Sequence, residues 1–133
     1  MLHVRKEQMQ AFEQVALKRF EDSMVEHLRK FFPDECELLG EDGTRQTIRY
    51  GLKRAGEYGI ISERDVCIYT DVMFAFGRDF DSDHQFPWAA QILNDESLKN
   101  RPSEKIDKLY EAASTNFQKA IGIKPESEEP VNE

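Results

Sequence analysis

Asp79, Asp81 and Asp83 stand at alternate positions in the segment 77–88, Gly-Arg-Asp-Phe-Asp-Ser-Asp-His-Gln-Phe-Pro-Trp, with Phe80, Phe86 and Trp88 set among and after them. Alternate carboxylates match the first three ligand positions of a calcium loop, where their oxygens converge on one hard cation. The rest of that pattern fails: His84 replaces the sharp-turn glycine, Ala90 stands where a bidentate glutamate belongs, and Pro87 and Trp88 occupy the exit. Paired carboxylates also run general acid and base chemistry when their surroundings drive their pKa values apart, but nothing in the spacing brings these acids onto one cleft. The expected role is structural, with the aspartates meeting loop backbone donors and capping the helix that follows. No metal, cofactor or catalytic residue is predicted.

Other reactive groups are sparse. Cys36 and Cys67 lie far apart without CxxC spacing and read as reduced, partly buried thiols. His27 reads as a packed or boundary histidine of the first helix, and His3 lies at the terminus. Glycine-rich phosphate loops and HExxH are absent, so an enzyme is not expected. A net charge of −8 over 133 residues argues against nucleic acid, which demands a basic face. No apolar run approaches the roughly 20 residues that span a bilayer, so no membrane partner is expected. The first residues reach charge at once and show no secretory h-region. Cytoplasmic residence is the resulting expectation.

The elements that must carry these residues are helices. In residues 5–32, Met9, Phe12, Ala16, Phe20, Met24, Leu28 and Phe31 recur at spacings of three and four, predicting one helix of about 28 residues and about 40 Å that Pro33 ends. A helical turn over 34–39 and a loop over 40–43 lead to a second helix from Thr44, with Ile48, Leu52 and Ala55 on one face and Gly59 as its stop. Gly51 and Gly56 are expected to admit a close neighbour. Ser62 caps a third helix that Gly77 terminates, and Pro87 opens a short fourth one through Leu93. Ser103 is expected to cap the last helix, striped by Ile106, Leu109, Tyr110, Ala113, Phe117, Ala120 and Ile121. The predicted fold is all-α, a single-domain bundle of about five helices with a long N-terminal helix over 1–122. The tail 123–133, with four Glu against one Lys, is predicted to be a disordered acidic segment.

Binding is what remains. Clustered aromatics beside acids are the anchors protein interfaces use, which nominates Asp79, Phe80, Asp81, Asp83, Phe86 and Trp88 as a docking edge. Arg45, Arg49, Lys53 and Arg54 of the second helix are further candidates for facing an acidic partner. The same rings would equally serve as a clamp closing the open end of a bundle.

Phe32-Pro33 with Leu39-Gly40, Arg45-x-x-Ile48-Arg49-x-Gly51, Tyr58-Gly59-Ile60-x-x-Glu63-x-Asp65-Val66, Gly77-x-Asp79-Phe80-Asp81 and Pro87-Trp88-Ala89-x-x-Ile92-Leu93 give the chain a resemblance to small bacterial proteins associated with type VI secretion cargo modules. In that group a proline commonly follows the position of Asp83, where this chain has His84. The resemblance implies an accessory, adaptor or co-chaperone, that binds an effector toxin or its loading chaperone. The alternatives are a cognate immunity protein, whose acidic surface would suit a basic toxin, and a metal protein or enzyme built on Asp79, Asp81 and Asp83.

Overall fold

Proline, glycine and one serine place most of the helix ends. In the computed structural model, which describes residues 6–120 and the side chains of residues 14–118, the order is α1 (Lys6–Phe31), α2 (Pro33–Glu57), α3 (Glu63–Phe76), α4 (Pro87–Leu93) and α5 (Pro102–Ala120). Short 3-10 turns occupy Phe80–Ser82 and Glu96–Leu98, and no strand occurs among the described residues. The architecture is all-α with five helices, as the periodicity predicts. None of the helices, among the described residues, is long and apolar enough to cross a membrane. The predicted tail 123–133, with His3, Ile121 and the side chains of Met9, Phe12 and Ala120, lies outside the described residues. The chain divides into two compact units, Met1–Tyr50 and Gly51–Glu133, with the division falling inside α2.

In the first unit, Phe32 alone separates α1 from α2. Its N–H donates to the Leu28 carbonyl at 2.7 Å and its carbonyl accepts from the Cys36 N–H at 3.0 Å. Pro33 forces this joint, because the residue before a proline is pushed out of the helical region while proline itself suits a first turn. The predicted loop over 40–43 shrinks to one residue. Gly40 alone leaves helical geometry, at φ 75° and ψ 173°, a region open essentially only to glycine. Residues 41–43 remain helical, and Arg45 reaches back one turn to Glu41 at 3.2 Å. The kink at Gly40 thus divides α2 into two helical stretches, whereas α1 runs through 26 residues. The predicted stripe of α1 is buried only in part: Met24 and Leu28 are buried with Val25, whereas Val15, Ala16 and Leu17 are exposed and Phe31 is 59% exposed. Helical periodicity marks a face but not what covers it.

In the second unit, α3 and α4 both pack on α5, and the turn Phe80–Ser82 lies against α3 and α4. Val66, Tyr69, Val72 and Met73 of α3 form the core with Phe80, Ala89, Leu93, Leu98, Ile106 and Leu109. The end of α2 comes close to α3 at Gly51, where a Cβ would stand 2.7 Å from the Met73 sulfur. The close approach expected at Gly56 does not occur, since a Cβ there meets nothing within 4 Å. The predicted stop is a Schellman motif: Ile60 N–H donates to the Ala55 carbonyl at 2.9 Å, Gly59 N–H to the Gly56 carbonyl at 3.0 Å, and Gly59 has φ 81°. Ile60, the residue after it, is buried.

Ser62 caps α3 as predicted, its Oγ accepting the Asp65 N–H at 3.2 Å. Ser103 does not cap α5. That helix begins one residue earlier at Pro102, and the Ser103 hydroxyl donates to Asp65 Oδ2 at 2.8 Å, because the buried carboxylate of Asp65 needs donors from the neighbouring helix. Arg64 adds a second tie between α3 and α5, to Asp107 at 2.6 Å. In the stripe of α5, Ile106, Leu109 and Ala113 are buried but Tyr110 and Phe117 are exposed.

Candidate functional site

The loop between α3 and α4 is built from local hydrogen bonds. Gly77, at φ 118°, ends α3 by donating its N–H to the Met73 carbonyl at 2.7 Å. The chain then tightens into the 3-10 turn, with Ser82 N–H on the Asp79 carbonyl at 3.1 Å and Phe86 N–H on the Asp83 carbonyl at 3.0 Å. Asp83 does meet a loop donor, its Oδ1 accepting the Gln85 N–H at 2.9 Å. It does not cap α4: Phe86 holds that position without a side-chain bond, and Pro87 makes the first turn.

The three aspartates take different surroundings. Asp79 is exposed, Asp83 half-buried, and Asp81 fully buried. One oxygen of Asp81, Oδ2, accepts the Tyr58 hydroxyl at 2.7 Å and an ion-paired hydrogen bond from Arg54. Arg54 and Tyr58 are four residues apart, so they share one face at the end of α2. This latch corrects the docking prediction at two positions. Asp81 and Phe80 are both buried, Phe80 against the Tyr69 ring at 5.1 Å, because the turn points them into the core. A cation drawn to these aspartates would have to displace Arg54 from Asp81.

Tyr58 joins a second contact. Its backbone carbonyl accepts the Lys105 ammonium at 3.0 Å, and Lys105 is only 4% exposed. A cation against the last carbonyls of a helix offsets the negative end of its dipole. Lys105→Met is expected to cost about 1.5–3 kcal/mol, the range for a hydrogen bond to a charged group; urea unfolding with an unchanged midpoint would contradict this role.

Burial pushes the Tyr58 hydroxyl up to about 12, with the hydrogen bond to Asp81 and that group's charge adding to the effect. A folded-state value raised above the ordinary 10.0 means that its stabilisation is whole below that pH and is lost as pH rises toward 12. Between these values Tyr58→Phe is expected to show a shallower fall in melting temperature than the wild type. Parallel curves would count against the assignment.

The other docking residues form a row of rings. Phe76 of α3 is its centre, with Phe86 at 5.0 Å, Trp88 at 5.2 Å and Phe117 of α5 at 6.2 Å, all edge-on. Such T-shaped contacts are the favoured geometry of aromatic pairs. None of the four rings is fully buried, and Phe117 is 44% exposed. Phe117 was readable only as part of the α5 stripe, and its partners in the loop had no signature in the sequence. The partners of Asp81 left a fainter trace, the four-residue spacing of Arg54 and Tyr58.

Arg45 and Arg49 belong to the first unit and are committed within it. Arg45 bonds Glu21 at 2.7 Å, Asp22 at 2.9 Å and Glu41 at 3.2 Å, while Arg49 reaches Glu21 at 2.8 Å. The hydrogen bonds from Arg49 and Arg45 hold the Glu21 carboxyl below its usual range against the opposing effect of burial. Both arginines therefore tie α1 to α2, with the side chain of Arg45 20% exposed and that of Arg49 64%. His27 is half-buried with its ring 4.9 Å from Phe31, the boundary position predicted. Cys36 is buried and Cys67 half-buried, both as free thiols; burial, with Asp71 beside it, pushes Cys67 up to about 11 and makes it a poor nucleophile.

Comparison with protein-family models, curated proteins and solved structures gave no match to this chain.

Proposed function

We propose that the chain is a non-catalytic accessory that binds another protein in the cytoplasm, as an adaptor or co-chaperone for a type VI secretion effector or for its loading chaperone. The observation that carries the binding part is the half-open row of Phe76, Phe86, Trp88 and Phe117. Interface anchors are aromatic rings of this kind, presented together by rigid elements. Three helices and the latched loop hold this row, so little side-chain freedom remains to be lost on binding. The secretion context rests on the resemblance of the sequence motifs alone.

The test uses the full chain in a bacterium that makes it. Phe117→Ala removes the most exposed ring and is expected to leave the melting temperature within a few degrees while recovery of the effector or its chaperone on the tagged protein falls at least about tenfold, the loss expected of one anchor residue. Recovery that ignores Phe117→Ala and Trp88→Ala rejects the ring row as the docking edge. Intact effector export without the protein, combined with sensitivity of the cell to the toxin, would instead identify an immunity protein.

A further inference from the structure

The ends of α2 and α4, the turn Glu96–Leu98 and α5 line a cleft of about 510 Å³, to which Glu57, Tyr58, Leu93, Glu96, Lys99 and Lys105 contribute. The cleft lies wholly within the second unit, and none of Phe76, Phe86, Trp88 and Phe117 lines it. Its volume falls in the range of small-molecule sites. Lys105 is its most unusual member. Lysine is almost never buried this deeply unless paired, yet at 4% exposure the Lys105 ammonium has the neutral Tyr58 carbonyl as its one hydrogen-bond partner among the described residues, with no ion-paired carboxylate. Asp95, also in the lining, does not fill that place. Its carboxylate accepts the Ser97 hydroxyl at 2.7 Å and the Ser97 N–H at 2.9 Å, bonds that hold it below its usual range with help from the charges of Lys108 and Lys105.

Three more side chains of the cleft are uncommitted. Lys99, Glu96 and Asn100 make no side-chain hydrogen bond or ion pair among the described residues. Glu96 and Lys99 stand three apart across the 3-10 turn, a spacing at which side chains eclipse, so an acid and an ammonium are neighbours on one face. Glu57, by contrast, is held by Arg54 at 3.1 Å. Two lysines with N–H donors to spare and one free carboxylate suit a ligand that carries both charges. A dianion such as phosphate is disfavoured, because Glu57, Asp95 and Glu96 outnumber the lysines, and a simple cation meets the fixed charge of Lys105. We propose that the cleft binds an aliphatic α-amino acid as its zwitterion, with the carboxylate on Lys105 and Lys99, the ammonium on Glu96 and the side chain toward Leu93. Charge-assisted hydrogen bonds of this kind are the strong ones.

Titration of the isotope-labelled full chain with L-leucine, followed through its amide NMR signals, tests the site. The controls are L-leucinamide, which lacks the carboxylate, N-acetyl-L-leucine, which lacks the ammonium, and inorganic phosphate. The expected result is a saturable shift of the Gly59, Asn94 and Lys99 amides with leucine. Binding should be at least about tenfold weaker for each control, and for leucine to Lys99→Gln or Glu96→Gln, the loss of one hydrogen bond to a charged group. Both variants alter exposed residues, and an unchanged melting temperature separates lost binding from lost folding. The proposal is overturned if leucine gives no saturable shift, if the shifted amides lie away from the cleft, or if any control or variant binds as tightly as leucine binds the wild type.

Discussion

Arg54→Met is expected to lower stability by about 3–5 kcal/mol, the range for removing one partner of a buried ion pair. The size follows from an asymmetry in the pair. The Asp81 side chain is entirely buried, whereas that of Arg54 is 27% exposed. Taking away Arg54 leaves a carboxylate in the core with Tyr58 as its remaining protein donor, while taking away the charge of Asp81 leaves a guanidinium that can still reach water. Asp81→Asn should therefore be the milder change. The double variant Arg54→Met with Asp81→Leu should regain much of the loss, since an apolar replacement of a whole buried pair is often neutral or stabilising. Urea unfolding of the wild type, Arg54→Met, Asp81→Leu and the double variant checks this as a double-mutant cycle. Single variants of equal and small effect would show that the latch does not anchor the loop.

Phe80→Ala is expected to cost about 3–5 kcal/mol and to lower the melting temperature on the order of 10–20 °C. Phe80 is 1% exposed and its ring lies on that of Tyr69, between the turn and α3. Truncation removes the ring from the core and leaves a cavity that the clamped turn cannot easily close, because Asp81 next to it is fixed by Arg54 and Tyr58. Phe86→Ala should be much milder, since that ring is only half-buried. Thermal melting of the two variants separates the core role of one aromatic from the surface role of the other. Similar losses at Phe80 and Phe86 would contradict the division drawn within the loop.

Helix ends were legible in the sequence where one residue decides them. Ser62, Gly77 and Pro87 bound α3 and α4 as predicted, because caps and prolines act through the local backbone alone. At residues 40–43 the same logic overreached. Glycine and aspartate are weak helix formers, but their preference is small against a packed helix, and only Gly40 leaves the helical path. Ser103 misled for a related reason: its hydroxyl had a stronger acceptor in Asp65 on another helix than in the local backbone. The candidate site was half legible. The rings and acids of the loop were visible as a cluster, but alternation alone could not tell the buried Asp81 from the exposed Asp79, because that distinction depends on Arg54 and Tyr58, more than twenty residues earlier in the chain.

Tyr58 gives this division of roles a dynamic consequence. Its hydroxyl fastens the loop through Asp81, and its carbonyl fastens α5 through Lys105. Opening either contact loosens the residue that makes the other, so the loop and the start of α5 should open as one cooperative unit with a shared free energy of exposure. Amide hydrogens of Ser82 and Leu109, far apart in the chain, would then exchange with deuterium through the same event, and Tyr58→Phe would accelerate both together.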